Sequence, residues 1–270
     1  MHEVMKGTLS LQGAPLYYET RGQGVPLILI HAGVADCRMW DAQWDALAAD
    51  FRLVRFDLRG YGRSAYPDGA FAYYEDVLGL MTHLGIKAAH LAGVSFGGRV
   101  ALDFALVYPE RVLSLFLGIP SIGGAPISET VEVFSQKEEE LLEAGDLDGA
   151  ADLNVRFWVD GPRRAPADVD PAIRQAVFTM QRAAFEVPVP QGCSLISLSP
   201  PAYERLHEVT ARTLIVVGDA DIPSVVGISR TATTKIAGAR LEVRAEVGHM
   251  VTMERPEEIS FRLRDWVRGE

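Results

Sequence analysis

Cysteine is scarce. Cys37 and Cys193 are the only two in 270 residues, which excludes a disulfide scaffold and offers no metal-binding spacing. Long apolar runs are missing too: the longest, Val25 to Ala35, is interrupted by His31 and falls far short of the roughly 20 apolar residues of a bilayer-spanning helix. The first residues, Met-His-Glu-Val-Met-Lys, lack the basic-then-apolar layout of a secretory signal. The cytoplasm is therefore the expected compartment. Basic side chains are in deficit, 26 against 36 acidic for a net charge of −10, which argues against partners such as nucleic acid or an anionic membrane surface. Fifteen of the acids but only seven of the bases fall between residues 123 and 210. That concentration reads as solvated helical surface or, functionally, as a cover that repels anionic substrates.

What remains is ordinary for a globular chain. An apolar fraction of 48% suits one large α/β domain, or a core with one sizeable insertion. Leu9 to Gln12 and Leu16 to Glu19 flank Gly13-Ala14-Pro15 and predict an edge hairpin. Compact apolar runs of strand length follow at Pro26–Ile30, Arg52–Phe56, His90–Val94, Val112–Leu117, Thr213–Val217 and Leu241–Arg244. Several show little polar alternation, as expected of strands covered on both faces. Between them Val77, Leu80, Met81 and Leu84 keep the spacing of one buried helix face, as do Ile259, Leu263, Trp266 and Val267 after Pro256. Gly97 to Val107 reads as a buried helix stopped by Pro109. Alternating strands and helices predict a mostly parallel twisted sheet flanked by helices. The alternation breaks between Gly123 and about Thr210, where Glu129–Glu143, Leu147–Trp158 and Pro171–Glu186 look helical and no strand of comparable strength occurs. The expected organisation is a core of residues 1–122 and 211–270 carrying a helical cap over 123–210. No internal repeat is evident.

Gly93-Val94-Ser95-Phe96-Gly97 lies between a predicted strand and a predicted helix. A turn that sharp strains its apex residue, and glycines two positions to either side remove clashing side chains. It would present the Ser95 hydroxyl above the sheet edge, at a helix N-terminus that favours developing negative charge. Serine needs a base to become a nucleophile. Of the six histidines, His2 is terminal, His83 sits in a helix, His90 starts the strand leading to Ser95 and His207 ends the insertion. His31 closes an earlier strand and is expected to brace its turn. His249 remains, in a loop between the last strand and the last helix, where such loops emerge beside the nucleophile turn. A histidine base needs a carboxylate to fix its tautomer, and Asp219 and Asp221 follow the strand Thr213–Val217. An oxyanion hole needs backbone donors; the Phe96 amide is one, and a second is expected from the loop His31–Val34.

Together these residues resemble the α/β-hydrolase superfamily, particularly its small bacterial serine esterases and lactonases. The likeness rests on His31-Ala32-Gly33, the run Asp57-Leu58-Arg59-Gly60-Tyr61-Gly62-Arg63-Ser64, the Ser95 elbow, Gly218-x-x-Asp221 and Gly248-His249. The resemblance implies the α/β-hydrolase fold with a helical cap and a triad of Ser95, Asp221 and His249, since the family's acid stands three residues after the glycine. Gly118-Ile119-Pro120-Ser121 offers no acid at the position some members use one strand earlier. By family position Gly33 is the second oxyanion donor, although Ala32 replaces the usual glycine and is an alternative. The Asp57–Ser64 run is expected to brace turns. Serine at the elbow sets the chain apart from haloalkane dehalogenases and epoxide hydrolases, which use aspartate there.

The apolar residues expected near a substrate are Ile119, Ile122, Trp158, Phe178, Phe185, Ile222 and Met250, with Phe96 and Met250 flanking triad members directly. Such residues pack into cores as readily as they touch ligands. An apolar pocket beneath an acidic cap suits a small neutral ester or lactone, cleaved through an acyl-enzyme without metal or organic cofactor. Carbon–carbon bond hydrolysis or perhydrolysis on the same three side chains, and a small-molecule receptor, are the alternatives. No motif sets the oligomeric state.

Overall fold

The computed structural model describes residues 3–269, so His2 lies outside the described residues. Strands β1 (Met5–Leu11), β2 (Ala14–Arg21), β3 (Pro26–Ile30), β4 (Arg52–Phe56), β6 (Ala89–Val94), β7 (Val112–Gly118), β9 (Arg212–Gly218) and β10 (Arg240–Arg244) form one sheet, in the order β1-β2-β4-β3-β6-β7-β9-β10. Pairing is antiparallel from β1 through β2 to β4 and parallel everywhere else. Two-residue strands β5 (Ala70–Phe71) and β8 (Ser194–Leu195) pair with each other apart from it. The helices of the core are α1 (Asp41–Leu47), α2 (Tyr73–His83), α3 (Phe96–Val107), α8 (Pro223–Lys235), α9 (Val251–Glu254) and α10 (Pro256–Arg268). Between β7 and β9 the chain makes a helical insertion of α4 (Glu129–Glu143), α5 (Leu147–Asn154) and α6 (Pro171–Ala184), then the short α7 (Ala202–Arg205). No described helix is long and apolar enough to cross a membrane.

The central strands are apolar for a physical reason. Every residue of β6 is buried, as are four of five in β3 and six of seven in β9, because helices cover both faces of the sheet. Each fully buried Leu or Ile contributes roughly 1.5–3 kcal/mol relative to exposure. The edge strands β1 and β10 alternate or expose polar groups instead.

Three details differ from the sequence reading. The hairpin turns on Gln12-Gly13, not on Gly13-Ala14-Pro15: Leu11 already pairs with Ala14. Both turn residues have positive φ, 51° and 78°, the pattern of a two-residue turn whose twist matches the strands. The helix expected over Leu147–Trp158 leaves α geometry after Asn154 and continues as a π-helical turn, Val155–Asp160. The insertion also contains β8, whose two residues are too few to leave a periodic signal.

Asp103 on α3 yields a stability prediction. Its Oδ1 is buried without a hydrogen-bond partner, and Arg99 stands 3.7 Å from Oδ2. Burial pushes its carboxyl up to about 6. A raised folded value means the group favours the fold fully below the unfolded carboxylate range and loses that effect as pH rises through about 6. Asp103→Asn is therefore expected to gain roughly 1–2 kcal/mol at pH ~8, about 2–6 °C in Tm, and almost nothing near pH ~4. Calorimetry at both pH values checks this; an equal shift at the two would contradict it.

Candidate active site

Ser95 stands alone between β6 and α3, and the reversal is taken up by its own backbone, at φ 52° and ψ −114°. That conformation is sterically poor for any residue with a side chain. It is held from several sides: the Ser95 N–H donates to Gly118 O at 2.8 Å, and its carbonyl accepts from Arg99 N at 3.1 Å and Ser121 N at 3.0 Å. Neither flanking glycine has positive φ, so both serve close approach. A Cβ at Gly93 would lie 2.3 Å from Gly97 O, and one at Gly97 2.3 Å from Ile30 O.

His249 follows β10 in the loop before α9. Its Nδ1 lies 2.7 Å from Asp221 Oδ2, and both residues are buried. Asp221 Oδ1 accepts the Ile222 N–H at 2.7 Å. An ionised carboxylate only accepts, so Nδ1 carries the ring proton and the Nε2 lone pair is left for chemistry. Asp219, the other carboxylate after β9, is exposed and accepts from Glu246 N at 2.7 Å. It shapes the turn and leaves His249 to Asp221. The indole of Trp158 covers the imidazole, with centroids 4.6 Å apart and planes inclined at 42°. Trp158 in turn packs on Phe134 of α4 and on Phe157.

Ser95 and His249 line one cavity of about 150 Å³. Ile122 and Trp158 line it as well, together with Val225 and Ile228 of α8 and the hydrogen-bonded pair Ser128–Ser224 at 2.9 Å. Ile119, Ile222 and Met250 are buried beside the site and are not among the lining residues. Phe178 and Phe185 are half-buried on and just after α6, also away from this lining. Sequence reasoning missed the α8 contributions, because Val225 and Ile228 differ in no local respect from ordinary helix residues.

Gly33 and Phe96 are neighbours: a Cβ on Gly33 would sit 3.3 Å from the Phe96 Cβ and 3.4 Å from the Tyr61 hydroxyl. They belong to the ends of β3 and β6, adjacent strands whose connections leave in opposite directions, the place where open α/β sheets form a crevice. His31 braces this turn. Leu58 N–H donates to its Nε2 at 2.8 Å, so Nδ1 carries the proton and donates to Ala32 O at 2.8 Å. Burial lowers its pKa and favours that neutral ring. The Asp57–Ser64 run is similarly tied down. Asp57 accepts from Cys37 N and Arg63 N, and the fully buried Arg59 pairs with Asp76 of α2.

Asp36, Cys37 and Asp57 place potential metal-ligand atoms within 4.8 Å of one another. Their capacity is already engaged: Asp36 pairs with Arg38, and Asp57 with backbone amides and Arg63. Burial pushes the Cys37 thiol up, which opposes the thiolate a metal would need. This chemistry therefore does not point to a metal.

The signature of the Alpha/beta hydrolase family matches residues 27–260. Among curated proteins, the dihydrolipoyllysine-residue acetyltransferase component of the acetoin cleaving system of Pseudomonas putida is 31% identical over 93% of this chain, which spans 66% of that protein. The 2-hydroxymuconate semialdehyde hydrolase of Pseudomonas sp. (strain CF600) is 29% identical, over 86% of this chain and 83% of its own. The solved structure of Est816, an N-acyl homoserine lactone degrading enzyme, superimposes with a TM-score of 0.74 at 26% identity, covering 96% of this chain and all of that one.

Proposed function

The chain belongs to the α/β-hydrolase family, and we propose that within it the protein is a serine hydrolase of small neutral carboxylic esters or lactones. One observation carries this reading: a buried imidazole with its Nδ1 committed to Asp221 shares a cavity with a serine raised on a strained turn. Ser95 Oγ attacks the carbonyl carbon while His249 Nε2 takes its proton and Asp221 stabilises the imidazolium. The amides of Phe96 and Gly33 hold the oxyanion. His249 then protonates the departing alkoxide, leaving an acyl-enzyme on Ser95. Water, deprotonated by His249, attacks that ester and regenerates the hydroxyl. No metal or organic cofactor takes part.

The cavity limits the acyl group. About 150 Å³ is the size of an apolar void that holds one benzene ring, so a short aliphatic or single-ring acyl chain fits. We further propose that residues 123–210 form a cap, whose acidic surface disfavours anionic substrates. Initial rates on p-nitrophenyl esters of graded length, with acyl-lactones and 1,3-diketones in parallel and Ser95→Ala as the blank, test the assignment. Sustained turnover is expected with an optimum near four to six acyl carbons, roughly tenfold lower at ten, by the volume argument. Cleavage confined to diketones would instead identify a carbon–carbon bond hydrolase, and a single burst without turnover a receptor.

A further inference from the structure

Arg164 lies just beyond the π-helical turn that carries Trp158, yet its guanidinium reaches into the His249 loop. Nε donates to Asp160 O at 3.0 Å and Nη2 to Val159 O at 2.6 Å, which anchors it to the end of that turn. Nη1 donates to Glu246 O at 3.4 Å, and the group forms an ion pair with Glu254 of α9. The two side chains are only 10% and 7% exposed. Glu254 Oε1 also accepts the Gly248 N–H at 3.0 Å. A continuous set of contacts therefore runs from Val159 and Asp160, directly after Trp158, through Arg164 and Glu254 to the residue before His249. Gly248 is cut to fit it. Its φ is not in the left-handed range, so the backbone would accept alanine, but a Cβ there would fall 2.0 Å from Arg164 Nη2.

We propose that the Arg164–Glu254 pair is a positioning device that locks the insertion onto the loop of the catalytic base, fixing Trp158 above His249 and His249 against Asp221. The inference rests on the functional reading above. A planar guanidinium is suited to this task because it engages three carbonyls and a carboxylate at once, which an ammonium on the same stem cannot do. Neither charge can be removed alone without leaving its partner buried and unpaired. In catalysis the device acts through geometry, since an error of about 1 Å at the base can lower the rate ~100-fold.

The test uses Arg164→Lys, Arg164→Ala, Glu254→Gln and Gly248→Ala, with the Arg164→Ala/Gly248→Ala double variant, all assayed well below their melting temperatures. Gly248→Ala expels the guanidinium while keeping both charged residues. Each single variant is expected to lower kcat on a short p-nitrophenyl ester by roughly 10–100-fold, with KM within about threefold. The double variant should be no slower than its worse component, because alanine at 248 meets no guanidinium once Arg164 is gone. Wild-type kcat in Gly248→Ala and Arg164→Lys, or fully additive losses in the double variant, would overturn the proposal. A merely structural role would lower Tm and leave kcat of the folded protein unchanged. Should Arg164→Ala not fold, Gly248→Ala and Arg164→Lys still decide. Ser95→Ala run alongside separates the two readings: hydrolysis surviving there refutes the assigned nucleophile. A dead Ser95→Ala beside wild-type-like strut variants refutes the strut alone.

Discussion

Ser95→Ala is expected to reduce kcat by roughly 10⁴–10⁶-fold while leaving the fold and the substrate cavity intact, as loss of the nucleophile does where a triad acts as a unit. Asp221→Asn should do nearly as much damage, about 10⁴-fold, for a reason specific to this loop. Asp221 Oδ1 is committed to the Ile222 N–H. An asparagine would keep its carbonyl oxygen there and turn its NH₂ group toward His249 Nδ1. The imidazole would then have to accept at Nδ1 and carry its proton on Nε2, facing Ser95 as a donor instead of a base. Steady-state kcat, with fluorophosphonate labelling of Ser95 as a second readout, measures both variants. Near-wild-type turnover in either would remove the corresponding residue from the mechanism.

Gly97→Ala should be among the most damaging single methyl additions in the core. The new Cβ would fall 2.3 Å from Ile30 O and 2.5 Å from His31 O. Both atoms are backbone, and Ile30 is held between β4 and β6 by parallel ladders, so no side-chain rotation can relieve the clash. Forced overpacking of this kind is expected to cost 3 kcal/mol or more, roughly 6–12 °C in Tm. Activity should fall further still, because His31 begins the turn that carries Gly33. Gly227→Ala is the matched control. It lies within α8, has no atom within 4 Å of a would-be Cβ and no positive φ, so about 0.5–1 kcal/mol of stabilisation is expected. Equal melting temperatures for the two variants would show that the elbow is not sterically closed.

The contrast between these glycines illustrates what local sequence encodes. The strands Pro26–Ile30 and Arg52–Phe56 are legible to the residue: the first as the apolar run that burial on both faces demands, the second as a short apolar stretch whose buried Arg55 is offset by Glu19 and Asp41. The juxtaposition of Ser95, His249 and an acid was legible too, because strand ends of a parallel sheet share one edge. Only family spacing favours Asp221 over Asp219 in the sequence; in the structure His249 Nδ1 lies against Asp221, while Asp219 accepts the Glu246 N–H. In the sequence Arg164 is only one of two adjacent arginines, Arg163 and Arg164. Its partner Glu254 lies 90 residues away, and no periodicity records a contact made between an insertion and a loop. The same holds for Ser128 and Ser224, and for the π-helical turn, whose residues would also suit an α-helix.

The insertion has a consequence for how the chain is made. Strand β7 pairs on one side with β6, which precedes it, and on the other with β9, which begins at Arg212. After Gly118 leaves the ribosome, the partner for its free edge is still 94 residues from being synthesised, which takes roughly 5–20 s at about 5–20 residues per second. During that interval an apolar strand with unpaired amides and carbonyls is open to any extended chain nearby. Asp221 and His249 arrive later still, so on the proposed mechanism the nascent chain is hydrolytically silent during that interval. Slower translation of the insertion would lengthen that exposure, whereas a chaperone covering the β7 edge until β9 emerges would raise the yield of native protein without touching its final stability.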